Sequence, residues 1–376
     1  MKNLSDKRSY KAKIPFLLDP SIVILVMILT LFGLLMIYST ISVSDSENIY
    51  FFKQLNAVIA GIFVMFFASR INIKSLYKIS KYMAIAALIL VILPLIPGIG
   101  SNAGGAQRWV KIAFFRFQPG EFVKIAAIVF LANYYSRHEN GIKTWKEGFV
   151  IPLICFLGVI GGIFLLQPDF GSAAVLFLAG AIMACALGVR IKHFLLAALP
   201  LAFICVLVVA AAPYRLKRIE AFLHPFEDTS GKSYQLIQSL ITIASGGFSG
   251  VGLGNSQQKL HFLPAAHTDF ILSVIAEEFG FIGVIVLISL FFIFFLRCLK
   301  IASRVSYDTF SYALAMGLLF LILVPAFANF GIVTGLLPTK GLVLPFIGFG
   351  GSNVIASFFT VGLLLAIVRG VYKRDI

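Results

Sequence analysis

Apolar runs of about twenty residues recur from Ile22 to Val371, separated by short polar or basic segments. A helix of that length crosses the hydrocarbon core of a bilayer. Within lipid the backbone must satisfy its own hydrogen bonds, and for long, non-alternating runs the solution is a helix. Only 12% of the 376 residues are charged and 60% are hydrophobic, against about 25% charged in a soluble domain. A soluble core is therefore excluded. The chain is read as an all-α, polytopic membrane protein.

The pattern predicts ten spans, at 21–40, 53–68, 80–97, 119–135, 148–166, 170–188, 193–211, 270–296, 309–330 and 352–370. Residues 1–20 form a cytoplasmic tail, and 21–376 form one transmembrane domain. The first apolar run exceeds a signal-peptide core and has no small-residue cleavage site, so it reads as a retained helix. The four cysteines, Cys155, Cys185, Cys205 and Cys298, lie within apolar runs without metal or disulfide spacing, and are structural.

Orientation follows from the basic residues. With a cytoplasmic N-terminus, twenty of the 31 Lys and Arg fall in inward segments, among them Lys2, Arg70, Arg137, Arg190, Arg297 and Arg369. The positive-inside rule thus places both termini in the cytoplasm. The net charge of +15 is explained by topology, and scattered cations give no stripe for nucleic acid. Arg108, Lys111, Arg116, Arg215, Lys217, Arg218, Lys232, Lys259 and Lys340 break the rule and face outward. They are candidates for binding an anion there, with lipid head-group contact as the alternative.

Connections are short except for 212–269, the large extracytoplasmic loop between spans 7 and 8, and a long ordered loop is usually functional. Its aromatic and glycine-rich pieces suggest a folded segment. No soluble domain, internal repeat or GxxxxGK[ST] motif is present, and Gly250-Val251-Gly252-Leu253-Gly254 has no strand–helix context that would make a nucleotide site.

Chemistry concentrates at the ends of spans. His267, Thr268 and Asp269 stand directly before span 8, and Glu277 and Glu278 lie inside it. Carboxylates there are costly unless they have partners or a function. Asp269 could serve as a general base or, with Thr268, cap the helix. Glu277 lies eight residues on, about 12 Å deeper and near the same face, with Glu278 opposite and differently partnered. Gln118-Pro119-Gly120-Glu121 with Lys124 opens span 4, where Glu121 and Lys124 form an ion pair or a groove wall. Gln167-Pro168-Asp169-Phe170-Gly171 opens span 6, with capping the first reading. Lys340 and Ser352, the latter in Gly350-Gly351-Ser352-Asn353, offer a phosphate site or tight packing.

One outward carboxylate among cations suits a lipid substrate carrying a pyrophosphate and a sugar. Glycosyl transfer from it needs no nucleotide, because the pyrophosphate is the leaving group, offset by cations while a base takes the acceptor proton.

The ordered motifs resemble the SEDS family, the bacterial membrane proteins that include FtsW and RodA. They are Gly105-Ala106-Gln107-Arg108-Trp109, Gln118-Pro119-Gly120-Glu121, Gln167-Pro168-Asp169-Phe170-Gly171, Tyr214-Arg215-Leu216-Lys217-Arg218, Gly252-Leu253-Gly254-Asn255-Ser256, His267-Thr268-Asp269-Phe270 and Gly335-Leu336-Leu337-Pro338-Thr339-Lys340-Gly341. Thr339-Lys340-Gly341 and Gly254 through Lys259 look more like FtsW, the division member, than RodA, the elongation member. Ala265 stands where the family commonly has Glu, and Gly348 through Asn353 replaces a more hydroxyl-rich turn.

The resemblance implies ten helices and a peptidoglycan glycosyltransferase polymerising lipid II, the undecaprenyl-pyrophosphate disaccharide-pentapeptide. It also implies a class B penicillin-binding transpeptidase partner, other divisome proteins and a place in the cytoplasmic membrane at the division septum. The family's essential aspartate maps onto Asp269. Arg108, Arg215, Arg218 and Lys340 are expected at the pyrophosphate, Glu121 and Lys124 at the groove wall, and His267, Thr268 and Ser352 at substrate. A divalent cation such as Mg2+ could share the phosphate charge, although no ligand cluster demands one. The rival readings are a lipid II flippase, a RodA-like elongation polymerase and a non-catalytic scaffold.

Overall fold

The structure is a computed structural model, described over residues 19–41, 47–103, 106–112, 115–167, 169–197, 222–223, 233–258 and 263–372. Helices α1 (Pro20–Ile41), α2 (Glu47–Ala68), α3 (Ile73–Ile92), α4 (Pro119–Arg137), α5 (Ile151–Gly161) and α6 (Phe170–Ala186) form the first part. Then come α7 (Tyr234–Gly246), α8 (Ile271–Arg304), α9 (Thr309–Val333) and α10 (Gly351–Tyr372). Nine of the ten predicted spans coincide with described helices. Of the span at 193–211 only the helical turns 191–197 lie within the described residues.

Local chemistry sets the helix starts. Asp19 accepts from Ser21 N ahead of α1, Asn72 accepts from Lys74 N ahead of α3, and Asp169 accepts from Ser172 N ahead of α6. Each satisfies an N–H that a first turn leaves open. Pro119 occupies the first turn of α4, with Glu121 at the positive end and Arg137 at the negative end of its dipole. The Asn72 cap moves α3 seven residues earlier than predicted, so Lys74, Lys78 and Lys81 ride on the helix. Turns of π-helix at Lys146–Val150 and Gly162–Leu166 flank α5 and complete the predicted 148–166 span.

Packing inverts the logic of a soluble protein. Helices α9 and α10 bury 72% and 78% of their most apolar stretch, whereas α3 and α8 bury 22%. Ile89, Phe63, Phe67 and Phe292 point outward, the arrangement of an apolar bundle meeting apolar solvent. Helix α10 packs along α2, and α9 packs against α4, α6 and α8. The chain is a multi-pass membrane protein.

Two features depart from the sequence reading. A three-stranded antiparallel sheet, β1 (Gly100–Ala103), β2 (Ala106–Ile112) and β3 (Phe115–Phe117), lies between α3 and α4. It pairs Val110 with Phe117 and Ser101 with Trp109. Three short strands beside strongly apolar spans carry little periodic signal, but together they pair backbone that would otherwise be open. In addition, α8 is not continuous. Gly280 has φ 64° and breaks it into 271–279 and 281–304.

Candidate active site

Asp269 belongs to a turn over 263–270, not to α8. Ala265 adopts φ 57°, and its carbonyl accepts from Thr268 N at 3.0 Å, Phe270 N at 3.3 Å and Thr268 Oγ1 at 3.2 Å. The N-cap of α8 is Phe270, with no side-chain cap bond. Capping by Thr268 or Asp269 is thus set aside, and so is the helical projection that put Glu277 on the face of Asp269. The glutamates do have separate partners: Glu277 accepts from Ser256 Oγ and from Gln257 N, and Glu278 accepts from Ser39 Oγ.

The turn is held from behind. Asn329, fully buried on α9, donates from Nδ2 to Asp269 O and to Leu342 O, both at 2.7 Å. This one amide joins the 263–270 turn to the 338–350 segment. His267 O accepts from Phe349 N at 2.9 Å. Gln54 on α2 adds Nε2 to Gly348 O at 3.4 Å and accepts from Gly350 N at 3.1 Å. Asn329 and Gln54 were not singled out from sequence. The signal was there: each is an amide within an apolar run, where polar groups are expensive.

The carboxylate lies against Gly341, where a Cβ would stand 2.8 Å from Asp269 Oδ2. Glycine here makes room for the acid. Among the described residues no hydrogen bond or salt bridge to that carboxylate is present. Asp269 keeps partial exposure, yet burial pushes its carboxyl up to about 6. Desolvation disfavours the charged form, so this acid is poised to exchange a proton near neutrality. His267 packs its ring 5.9 Å from Tyr50 and 5.7 Å from Phe349, and burial lowers its pKa, favouring neutral imidazole.

The remaining candidates separate into three groups. Lys340 directly precedes Gly341 and lays its chain over Gly171, its Cγ and Cε 3.4 Å from a would-be Cβ at the start of α6. Arg108 on β2 approaches Asp169 at 3.7 Å, and Asp169 caps α6 through Ser172 N and Oγ. The helix starts thus bring cations from β2 and from the 338–350 segment toward the end that carries Asp269. Deeper, Lys124 Nζ meets Glu121 Oε1 at 2.9 Å in a buried pair. Asn353 Nδ2 lies 3.4 Å from Glu121 Oε2, and a narrow cavity with Pro325 and Thr360 adjoins the pair. Ser352 Oγ is engaged by Gln118 N at 3.0 Å, which ties α10 to the start of α4. Arg215 and Arg218 lie outside the described residues. Among the described residues, no group of three or more His, Cys, Asp or Glu is placed to hold a metal ion.

Residues 20–373 match the family profile of FtsW, RodA and SpoVE, described as cell cycle proteins. The chain belongs to this family. The match confirms the SEDS resemblance carried by the ordered motifs. A SEDS relative, the probable peptidoglycan glycosyltransferase FtsW of Trichlorobacter lovleyi, is 43% identical over 360 residues, covering 94% of this chain and 93% of that protein. Stage V sporulation protein E of Bacillus subtilis is 36% identical over 364 residues, covering 95% and 98%. Among solved structures, a chain of a peptidoglycan synthase complex that coordinates polymerization and crosslinking superposes with TM-score 0.79. It is 27% identical, with 95% of this chain and 99% of that chain covered. The rod shape determining protein RodA of Thermus thermophilus gives TM-score 0.70 at 25% identity, covering 95% and 98%. The SEDS fold therefore spans nearly the whole chain.

Proposed function

We propose that this chain is a peptidoglycan glycosyltransferase of the FtsW type, which polymerises lipid II at the outer face of the cytoplasmic membrane during division. The observation that carries this reading is the Asp269 carboxylate: raised toward neutrality, partly exposed and uncommitted among the described residues. Asp269 takes the proton of the acceptor's GlcNAc 4-hydroxyl as that oxygen attacks the donor's MurNAc anomeric carbon. The anomeric carbon–oxygen bond to the pyrophosphate breaks, undecaprenyl pyrophosphate leaves, and inversion gives a β-1,4 linkage.

In this proposal Arg108, Lys340, Arg215 and Arg218 offset charge on the leaving pyrophosphate. Glu121 and Lys124 line the groove wall, with His267, Thr268 and Ser352 beside the substrate. A divalent cation such as Mg2+ could share the phosphate charge. The positive-inside distribution supports cytoplasmic termini and an outward site. The relatives named for glycosyl transfer, and the synthase complex among the structural neighbours, support the reaction class and a crosslinking partner, which in this proposal is a class B penicillin-binding transpeptidase acting with other divisome proteins.

The test is polymerisation of purified lipid II by the full chain co-purified with its transpeptidase. Asp269→Asn keeps the shape and removes the base, so product formation should fall at least about a hundredfold. Retained polymerisation by that variant would dismiss the assignment of Asp269. Flipping of fluorescent lipid II in liposomes, unaffected by Asp269→Asn, would instead support transport.

A further inference from the structure

The break in α8 is filled by another part of the chain. In a continuous helix Glu277 O would accept from Phe281 N, and Glu278 O from Ile282 N. Here all four groups turn to residues 247–252. Val251 N donates to Glu277 O at 2.9 Å and Gly252 N to Glu278 O at 3.0 Å, while Phe281 N reaches Gly247 O at 3.0 Å and Ile282 N reaches Phe248 O at 3.2 Å. Close approach requires glycine: a Cβ on Gly246 would collide with Ala276 O, one on Gly250 with Glu278 O, and one on Gly280 with Phe248 O. Of the Gly-rich run at 250–254, Gly250 makes this close approach and Gly252 supplies a donor N–H.

Glu277 extends that joint with its side chain. It is buried, a costly place for a carboxylate, and both its oxygens are used. Ser256 Oγ donates to Oε2, and Gln257 N donates to Oε1 at 3.2 Å. The next residue, Gln258, accepts from Leu263 N at 3.0 Å, and Leu263 opens the turn that presents Asp269. Asn329 on α9 holds this turn by donating from Nδ2 to Asp269 O, and Glu277 anchors Ser256 and Gln257 beside it.

We propose that Glu277 is a positioning residue for the reaction, fixing the path of residues 256–258 so that the 263–270 turn presents the Asp269 carboxylate to substrate. This rests on the reading of Asp269 as the base. Glu277 itself touches no reacting atom and need not carry charge. An amide can do the same work, its Oε1 accepting from Gln257 N and its Nε2 donating to a rotated Ser256 hydroxyl.

The experiment measures kcat and KM for lipid II polymerisation by the full chain with its transpeptidase, for Glu277→Ala, Glu277→Gln, Ser256→Ala and Asp269→Asn. Size-exclusion profiles establish equal folded yield. Misplacing a catalytic group by about 1 Å costs on the order of a hundredfold. Glu277→Ala should therefore lower kcat by about ten- to a hundredfold with KM within about twofold, while Glu277→Gln stays within about threefold of the parent. In Glu277→Ala the acidic limb of the rate profile should also move to lower pH as the loosened turn hydrates Asp269. A folded Glu277→Ala with parental kcat, or with only a raised KM, overturns the proposal. So does a dead Glu277→Gln, which would make the glutamate a proton carrier. If Glu277→Ala does not fold, Ser256→Ala decides: reduced kcat at unchanged KM supports positioning, and parental kcat refutes it. Activity surviving in Asp269→Asn would instead sink the parent reading.

Discussion

At the scale of single residues, the acid is described by two numbers: a carboxyl raised to about 6 and a glycine whose Cβ would stand 2.8 Å from it. A raised pKa keeps Asp269 protonated to higher pH, so the base form prevails above about pH 6 and is lost below it. Polymerisation should accordingly fall about tenfold per pH unit below that point, and a profile flat to pH 4.5 would exclude Asp269 as the base. His267 is shifted the opposite way, so His267→Gln should leave the limb in place. Gly341→Ala should lower kcat about tenfold by displacing the carboxylate while the protein still elutes as a folded species. The acid was singled out because a carboxylate beside a hydrophobic span is costly without a partner or a function, with helix capping open as the alternative until the turn over 263–270 set it aside. The setting of Asn329 was not legible: which carbonyls its amide would meet depends on two segments far apart in the chain.

Among the elements, helix starts were the most readable. Pro119 and Asp169 act through neighbours one to three residues away, so sequence distance and spatial distance agree, whereas the Asn72 cap was not read and α3 begins seven residues before its expected start. Asp169 as cap of α6 and Glu121 with Lys124 as an ion pair are found as expected. That pair is buried, and removing one member strands the other charge at about 3–5 kcal/mol. Glu121→Gln and Lys124→Met should each lower the thermal midpoint in detergent, and the double variant should recover much of the loss. Additive losses would mean the two charges are not coupled. The broken α8 escaped the sequence reading because no proline marks it and a single glycine such as Gly280 is tolerated within a helical run. Only the partner segment 247–252 makes the break tolerable, and its glycines look like loop punctuation until that partner is known.

For the whole molecule, the prediction concerns orientation. Single cysteines at Lys143 and Arg304 should be labelled only from the cytoplasm, and one at Leu336, an exposed residue between α9 and α10, only from outside. The native thiols of Cys155, Cys185, Cys205 and Cys298 must first be removed by changing those residues to Ser or Ala. Labelling of Leu336→Cys from the cytoplasmic side would invert the topology and remove the site from the compartment where the proposed substrate is polymerised.

The spans and their approximate limits follow from the sequence alone, because they depend on short-range quantities: the length of an apolar run and a cap within three residues. The room that Gly341 leaves, the grip of Asn329 and the insertion of 247–252 into α8 are decided only by tertiary structure. They depend on which distant backbone meets which, and in a bundle that is apolar inside and out, hydrophobic pattern does not distinguish a lipid-facing side from a buried one.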